Sequence, residues 1–261
     1  MNIKSTYVRI HWFLSTQCGF DFLILFRSAK GFPRYVADLI KFRSKYIGRM
    51  ELQPCLNDWY AEGGSTKNEY FWQDLLVAQK IFDANPNRHV DIGSRVDGFV
   101  AHVASFREIE VFDVRATTAK IPNIIFKQAD LMNPLPDLNS YCDSLSCLHA
   151  LEHFGLGRYG DPINPNGWRD GLANMANLLS ENGVFYLSTP IGSQRVVFNA
   201  NYIFDPRLVI KTALSHSLNL TALVVIKQNG EISQVNHNEL TLADLAEDSY
   251  ALGLFVFVKA K

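Results

Sequence analysis

The fold is decided by the stretch from His89 to Gly98, which reads HVDIGSRVDG. Its first four residues have the character of a short buried strand, and a glycine follows directly. A glycine turn between a strand and a helix lets a ligand approach the backbone, and the helix start offers unpaired N–H groups to an anion. The residues expected to form this ligand-binding turn are Asp91, Gly93, Ser94, Arg95 and Gly98.

Segments of strand and helix character alternate after this turn, which is typical of a parallel sheet with crossover helices. Strands are expected at residues 89–92, 109–114, 123–128, 144–148 and 184–188. Helices are expected at residues 96–105, 150–154, 168–179 and 206–216. Asn229-Gly230 predicts a hairpin, and a last strand at 252–258 completes a seven-stranded sheet with an antiparallel C-terminal strand.

The chain before this sheet is organised differently. Residues 1–64 form a basic, aromatic-rich extension, in which Pro33 suits the first position of a helix that continues to Tyr46. Gly63 and Gly64 break the chain, and a capping-box pattern over residues 66–69 predicts a helix from Lys67 to Ala84. We therefore expect a helical extension over residues 1–64 and a Rossmann-like α/β domain over residues 65–261.

Charge is distributed unevenly along the 261 residues. The formal net charge is -1, which argues against a nucleic-acid partner, yet the first fifty residues carry nine basic and two acidic side chains. This stretch is either a solvated surface or a contact for a membrane surface or another anionic partner. The apolar run over residues 20–26 is too short for a membrane span, and no signal peptide is evident. Four cysteines without a C-x-x-C pair favour a reducing, cytoplasmic setting, with the membrane surface as the alternative location.

Two further acidic residues follow the next two strands. Asp113 lies where a carboxylate can accept hydrogen bonds from both hydroxyls of a ribose, and Asp130 lies where one can accept from an adenine amino group. Asp91 is placed to hold an ammonium group, directly or through water. Each of these aspartates also has a purely structural interpretation as a turn or capping residue.

These elements, together with the segment LHALEH at residues 148–153, resemble those of class I S-adenosylmethionine-dependent methyltransferases over residues 91–190. The DIGSRVDG turn and the segment GLGRYGDP at residues 155–162 are similar to a smaller methyltransferase-like family of unassigned function, some members of which belong to surface-polysaccharide pathways. Arg95 and Asp97 replace glycines of the usual turn. The resemblance implies S-adenosylmethionine as cofactor, His149 among its contacts, and O-methylation of a sugar or glycan-related acceptor.

The loop after the fourth strand carries the candidate catalytic groups. His153 is the expected general base, with Glu152 or Asp161 orienting it or acting instead, because methyl transfer to oxygen requires removal of a proton. Arg158 and Tyr159 are expected to bind the acceptor, and no metal site is expected. The structural alternative is that His153 caps a short helix and that Arg158 pairs with Asp161.

Two other functions compete with methyl transfer. An NAD-dependent oxidoreductase shares the glycine turn, although Gly93 to Gly98 lacks the G-x-G-x-x-G pattern. A methyltransferase fold that has lost catalysis and binds a partner through its N-terminal extension is the other alternative. The sequence does not predict an oligomeric state.

Overall fold

The computed structural model describes residues 3–60, 66 and 68–261. The chain divides into two compact units, Met1–Ser65 and Thr66–Lys261. The predicted break at Gly63 and Gly64 and the predicted helix start at Lys67 lie outside the described residues.

The first unit contains helices α1 (Ile3–Gln17) and α2 (Phe22–Arg43) and a 3-10 turn (Asp58–Tyr60). Helix α2 begins at Phe22 because the Asp21 side chain accepts hydrogen bonds from the backbone N–H groups of Leu23 and Ile24, at 2.8 and 3.2 Å. Pro33 therefore lies inside this helix and not at its first position, so that prediction is wrong. Among the described residues, no helix combines the length and apolar character needed to cross a bilayer.

The second unit is built on an eight-stranded sheet. Its strands are β1 (His89–Ile92), β2 (Ile109–Asp113), β3 (Ile124–Gln128), β4 (Cys142–Leu148), β5 (Leu179–Ile191), β8 (Leu218–Ile226), β9 (Ile232–Val235) and β10 (Ala251–Lys259). They lie in the order β3-β2-β1-β4-β5-β10-β8-β9, with β1 to β5 parallel and β10 antiparallel to both neighbours. A separate antiparallel ribbon pairs β6 (Arg195–Val197) with β7 (Asn201–Ile203).

The helices of this unit are α3 (Glu69–Ala84), α4 (Ala101–Ala104), α5 (Gly167–Leu178), α6 (Pro206–Leu214) and α7 (Glu239–Glu247). The first of these begins after Asn68, whose side chain accepts from the N–H of Tyr70, so the cap lies two residues after the predicted capping-box start. The helix predicted at 96–105 is interrupted, because Gly98 has non-helical backbone angles inside a π-helical turn at residues 96–100. The segment predicted as a helix at 150–154 is a 3-10 turn at Leu151–His153.

The sheet has eight strands and not the predicted seven; the predicted hairpin at Asn229-Gly230 forms, and it pairs β9 with β8 at the edge of the sheet. Helix α7 and the β6–β7 ribbon were not predicted. Side chains from α3 and α4 form one core cluster, and side chains from α5, α6 and α7 form another. Helices therefore cover both faces of the parallel strands, whose carboxyl ends are left as the place for a ligand.

Candidate functional site

A pocket open to solvent lies at the carboxyl ends of β1, β2, β3 and β4, with about 960 Å³ of empty space when the solvent at its mouth is included. The predicted site residues that line it are Gly93, Ser94, Arg95, Asp113, Asp130, His149, His153, Arg158, Tyr159 and Asp161. Asp91, Gly98 and Glu152 do not line it. The fold thus brings ten of the thirteen predicted residues to one cavity.

The turn after β1 is shaped by a carboxylate beneath it. Gly93 has a φ of +69°, and its N–H donates to the carbonyl of Phe112 at 2.9 Å. The fully buried Asp91 accepts from the N–H of Ser94 at 3.0 Å, from its hydroxyl at 2.7 Å and from the hydroxyl of Ser146. Burial raises the pKa of Asp91 to about 7, although these hydrogen bonds oppose the rise. The prediction that Asp91 holds a ligand ammonium is therefore corrected, because its buried carboxylate binds Ser94 of the turn and does not line the pocket.

The second half of the turn also differs from the expectation. Arg95 pairs with Asp97 through contacts of 3.0 and 2.7 Å, so the two residues that replace glycines bind each other on the surface. Gly98 was predicted to contact the cofactor, but a Cβ atom there would lie 2.8 Å from Oδ2 of Asp74. Its small size therefore makes room for Asp74, a pocket-lining residue of α3 whose pKa is raised by burial.

The carboxylates after β2 and β3 are held by their own loops. Asp113 accepts from the backbone N–H of Arg115 at 2.8 Å and from its guanidinium at 3.0 and 2.6 Å. Asp130 accepts from the N–H of Met132 at 2.9 Å and from the side-chain amide of Asn133 at 2.8 Å. Both carboxylates line the pocket, and their contacts with ribose and adenine stay predictions.

His149, directly after β4, is the centre of a buried ionic cluster. Its φ is +54°, and its Nδ1 donates to Oε1 of Glu152 at 2.6 Å. Its Nε2 lies 3.4 Å from Oε1 of Glu69 but has no hydrogen-bond partner, and its ring stacks on Tyr70 at 4.4 Å. Burial lowers the pKa of His149, but the charges of Glu152 and Glu69 outweigh burial and raise the pKa to about 9. The side chain is therefore a buried cation at neutral pH.

Glu152 is fully buried behind His149 and does not reach the pocket wall. Burial raises the pKa of Glu152, but the charge of His149 and its hydrogen bond lower it more, so the net shift is downward. The second carboxylate oxygen accepts from the hydroxyl of Thr189 at 3.4 Å. The prediction of Glu152 as a catalytic residue is corrected, because a side chain without access to the pocket cannot touch a substrate. It positions the two histidines.

His153 lines the pocket with one ring nitrogen fixed. Its Nδ1 donates to the carbonyl of Ala200 at 2.7 Å, which leaves Nε2 to accept a proton, and Nε2 lies 3.9 Å from Oε1 of Glu152. Burial lowers the pKa of His153 below its usual value; Glu152 opposes this effect and Arg158 adds to it. The imidazole is therefore neutral at pH 7, the form that a general base requires.

The loop after His153 is organised by Asp161. One of its oxygens accepts from the N–H groups of Gly155 and Gly157, at 2.9 and 3.1 Å, and the other accepts from the N–H of Tyr159 at 3.1 Å. Arg158 donates to the carbonyl of Ala200 at 2.8 Å, so the alternative pairing of Arg158 with Asp161 is not formed. Asp161 lines the pocket while its oxygens hold the loop backbone, and its catalytic role stays a prediction.

Helix α3 supplies a wall of the pocket that the sequence did not predict. Tyr70, Gln73 and Asp74 line the cavity, and Glu69 reaches both His149 and the hydroxyl of Tyr250, which donates to it at 2.6 Å. Gln73 and Asp74 are buried on the same side of the helix as the core residues Val77 and Ile81. Polar residues in line with a core face were the signal that could have identified them.

Two comparisons with known sequences give little information on function. The family described as "Caenorhabditis protein of unknown function, DUF268" matches residues 120–214, which is less than half of the chain. No curated protein sequence matches the chain as a whole or in part. The smaller family suggested by the DIGSRVDG and GLGRYGDP segments is not confirmed.

Solved structures show which fold this is. The chain is similar to the 1,6-didemethyltoxoflavin-N1-methyltransferase of Burkholderia thailandensis, crystallised with 1,6-didemethyltoxoflavin and S-adenosylhomocysteine, at 12% identity and a TM-score of 0.52, over 78% of this chain and 82% of that one. It is similar to the N-methyltransferase NodS of Bradyrhizobium japonicum, in complex with S-adenosylhomocysteine, at 15% identity and a TM-score of 0.52, over 78% and 92% of the two chains. The fold is the Rossmann-like methyltransferase fold. That prediction is confirmed.

A third similar structure is the [4+2]-cyclase SpnF, at 10% identity and a TM-score of 0.54, over 76% of this chain and 86% of that one. The same architecture therefore carries a chemistry other than the one named for the two methyltransferases. Function has to be argued from the residues of the pocket.

Proposed function

We propose that this chain binds S-adenosylmethionine in the pocket and transfers its methyl group to a hydroxyl acceptor. One observation carries the proposal: the glycine turn after β1, Asp113, Asp130 and His149 all line the same cavity. Each of them matches a different part of the cofactor. His153, the candidate general base that follows, lines the same cavity.

The residues present fit the charges of the cofactor. His149 lines the pocket beside the turn, where its positive charge, which Glu152 and Glu69 largely offset, would face the amino-acid end. Asp74 would bind the ammonium group, the role predicted for Asp91, because it is a buried carboxylate that lines the pocket near the turn. The positive charge of the ammonium would compensate for the loss of solvation that raises the pKa of Asp74. Asp113 would accept from the ribose hydroxyls in exchange for Arg115, and Asp130 from the adenine amino group.

The cofactor supplies an electrophilic methyl group on a sulfonium, so the protein has to align the acceptor and remove its proton. His153 has the correct state for this task, because it is neutral and its Nδ1 is committed to the carbonyl of Ala200. The proton of the acceptor hydroxyl would pass to Nε2. Glu152, 3.9 Å away, would then stabilise the imidazolium that forms.

A hydroxyl-rich acceptor, such as a sugar or glycan fragment, is the acceptor class that we propose. The ring of Tyr159 lies 4.6 Å from the guanidinium of Arg115 and 5.2 Å from that of Arg158. An aromatic ring beside two hydrogen-bond donors suits a ligand with an apolar face and many oxygen atoms. The family resemblance of the loop points to the same class of acceptor.

The test separates binding from chemistry in the full-length chain. Calorimetry is expected to show binding of S-adenosylhomocysteine and none of NAD. Asp113→Ala should weaken that binding about tenfold to a hundredfold, from the loss of charge-assisted hydrogen bonds. Asp137→Ala, at an exposed residue outside the pocket, is the matched control and should bind like the wild type. His153→Gln should retain binding but lower turnover of labelled S-adenosylmethionine, screened with nucleotide sugars and glycan fragments, by about a hundredfold or more.

Each alternative has its own outcome. Binding of NAD without binding of S-adenosylhomocysteine would support the oxidoreductase and refute the proposal. Binding of S-adenosylhomocysteine without turnover on any acceptor would support the inactive binding protein. Full turnover by His153→Gln would remove His153 from the mechanism while leaving the cofactor assignment in place. The described residues contain no cluster of side chains arranged to hold a metal ion, and independence from metals stays a prediction that chelation tests.

A further inference from the structure

Large apolar side chains are exposed around the connection between α1 and α2. Between residues 12 and 26, eight of them have 48% to 68% of their surface exposed. These residues, which we call the apolar segment, are Trp12, Phe13, Phe20, Phe22, Leu23, Ile24, Leu25 and Phe26. A contiguous apolar surface of this kind on a folded unit marks a site of interaction.

The arrangement of the apolar segment indicates what it contacts. Residues 22–26 are the first five residues of α2, and an α-helix has about 3.6 residues per turn, so apolar side chains surround the helix there. A groove on a partner protein covers one face of a helix, whereas fluid hydrocarbon surrounds it. The Asp21 side chain accepts from the N–H groups of Leu23 and Ile24, which satisfies these donors without water.

Basic side chains follow the apolar segment along the same helix. Arg27, Lys30, Lys41 and Arg43 are exposed on α2. The first fifty residues carry a net charge of +7, whereas the whole chain carries -1. Apolar side chains next to exposed Lys and Arg complement a surface in which hydrocarbon lies below anionic headgroups.

We propose that the apolar segment enters the outer layer of an anionic phospholipid membrane while the basic residues of α2 contact the headgroups. Asp21, which lies between Phe20 and Phe22, keeps its hydrogen bonds to the N–H groups of Leu23 and Ile24 and its 3.6 Å contact with His11. This inference concerns the first unit by itself and does not depend on the reaction proposed for the second.

The test uses the full chain and vesicles of defined composition. In co-sedimentation, we expect vesicles of phosphatidylcholine with one-third phosphatidylglycerol to bind the chain about tenfold or more tightly than vesicles of phosphatidylcholine alone, and high salt to weaken the binding. Combined Leu25→Gln and Phe26→Gln should lower binding about tenfold, because the inserted hydrocarbon is lost. Leu240→Gln, at a residue that is 79% exposed on α7, is the matched apolar control and should bind like the wild type.

Charge reversal tests the contribution of the basic residues of α2 to membrane binding. Arg27→Glu with Lys30→Glu, at the exposed basic residues nearest to the apolar segment, should weaken binding to anionic vesicles by at least fivefold per residue, whereas Lys120→Glu, at an exposed residue of the other unit, should not. A far-UV circular dichroism spectrum with the helix content of the wild type would show that each variant still folds. The proposal fails if neither kind of vesicle binds, or if the apolar variant binds as tightly as the wild type. It also fails if light scattering shows that the wild type is a dimer and the apolar variant a monomer, while the two bind lipid equally. A second copy of the chain would then cover the apolar segment.

Discussion

The two sides of the pocket hold their charged groups in different ways. On the side of β2 and β3, Asp113 binds Arg115 and Asp130 binds Met132 and Asn133, so each carboxylate is held within its own loop. On the side of β4, His149 and Glu152 depend on Glu69 and Thr189, from α3 and β5. A carboxylate held by its own loop can be removed without disturbing the rest of the fold. A buried charge held by distant segments supports those segments as well.

Among variants on the two sides of the pocket, Glu152→Ala is expected to lower the free energy of unfolding the most. Removal of its carboxylate leaves His149 buried without its nearest anion, and breaking a buried ion pair costs about 3 to 5 kcal/mol. Asp130→Ala, on the other side of the pocket, removes two local hydrogen bonds and should cost about 1 kcal/mol. Urea unfolding at pH 7 measures both values. Equal losses in the two variants would show that the β4 side is no more coupled to the fold than the β3 side.

The second prediction concerns how the free energy of unfolding depends on pH through the buried His149 on the β4 side. The pKa of His149 is raised to about 9 in the folded chain, above its ordinary value near 6.5, so its contribution to stability is complete below pH 6.5. That contribution is lost as the pH rises through 9. At about 1.4 kcal/mol per pKa unit, the wild type should lose about 3 kcal/mol more than His149→Gln between pH 6.5 and pH 9.5. Parallel stability curves for the two proteins would show that His149 is not a buried cation.

The smallest effect is expected for Arg115→Ala, on the locally held side. Its guanidinium is half exposed, so loss of the pair with Asp113 should change the free energy of unfolding by less than about 1 kcal/mol. Binding of S-adenosylhomocysteine should become a few-fold tighter, because ribose hydroxyls no longer have to displace Arg115. Weaker binding in calorimetry would instead make Arg115 a cofactor contact.

The same division explains which parts of the site the sequence could predict. Asp113 and Asp130 are recognisable because each follows a buried strand, and the carboxyl ends of parallel strands meet at one edge of the sheet. The full burial of Asp91 and Glu152 was not predicted, because sequence spacing gives position along the chain but not depth of burial. The three backbone hydrogen bonds of Asp161 were not predicted either, because a carboxylate that holds its own loop has the same sequence signature as one that faces a substrate.

The sequence by itself determined the alternation of strands and helices, the glycine turn at Gly93 and the basic character of the first fifty residues, because these depend on local backbone preference, hydrophobic pattern and charge. Only the tertiary structure decided that Glu69 meets His149, that the carbonyl of Ala200 fixes the tautomer of His153, and that the side chains of residues 22–26 remain uncovered. Contacts between distant segments have no local signal, since they depend on how the helices pack against the sheet.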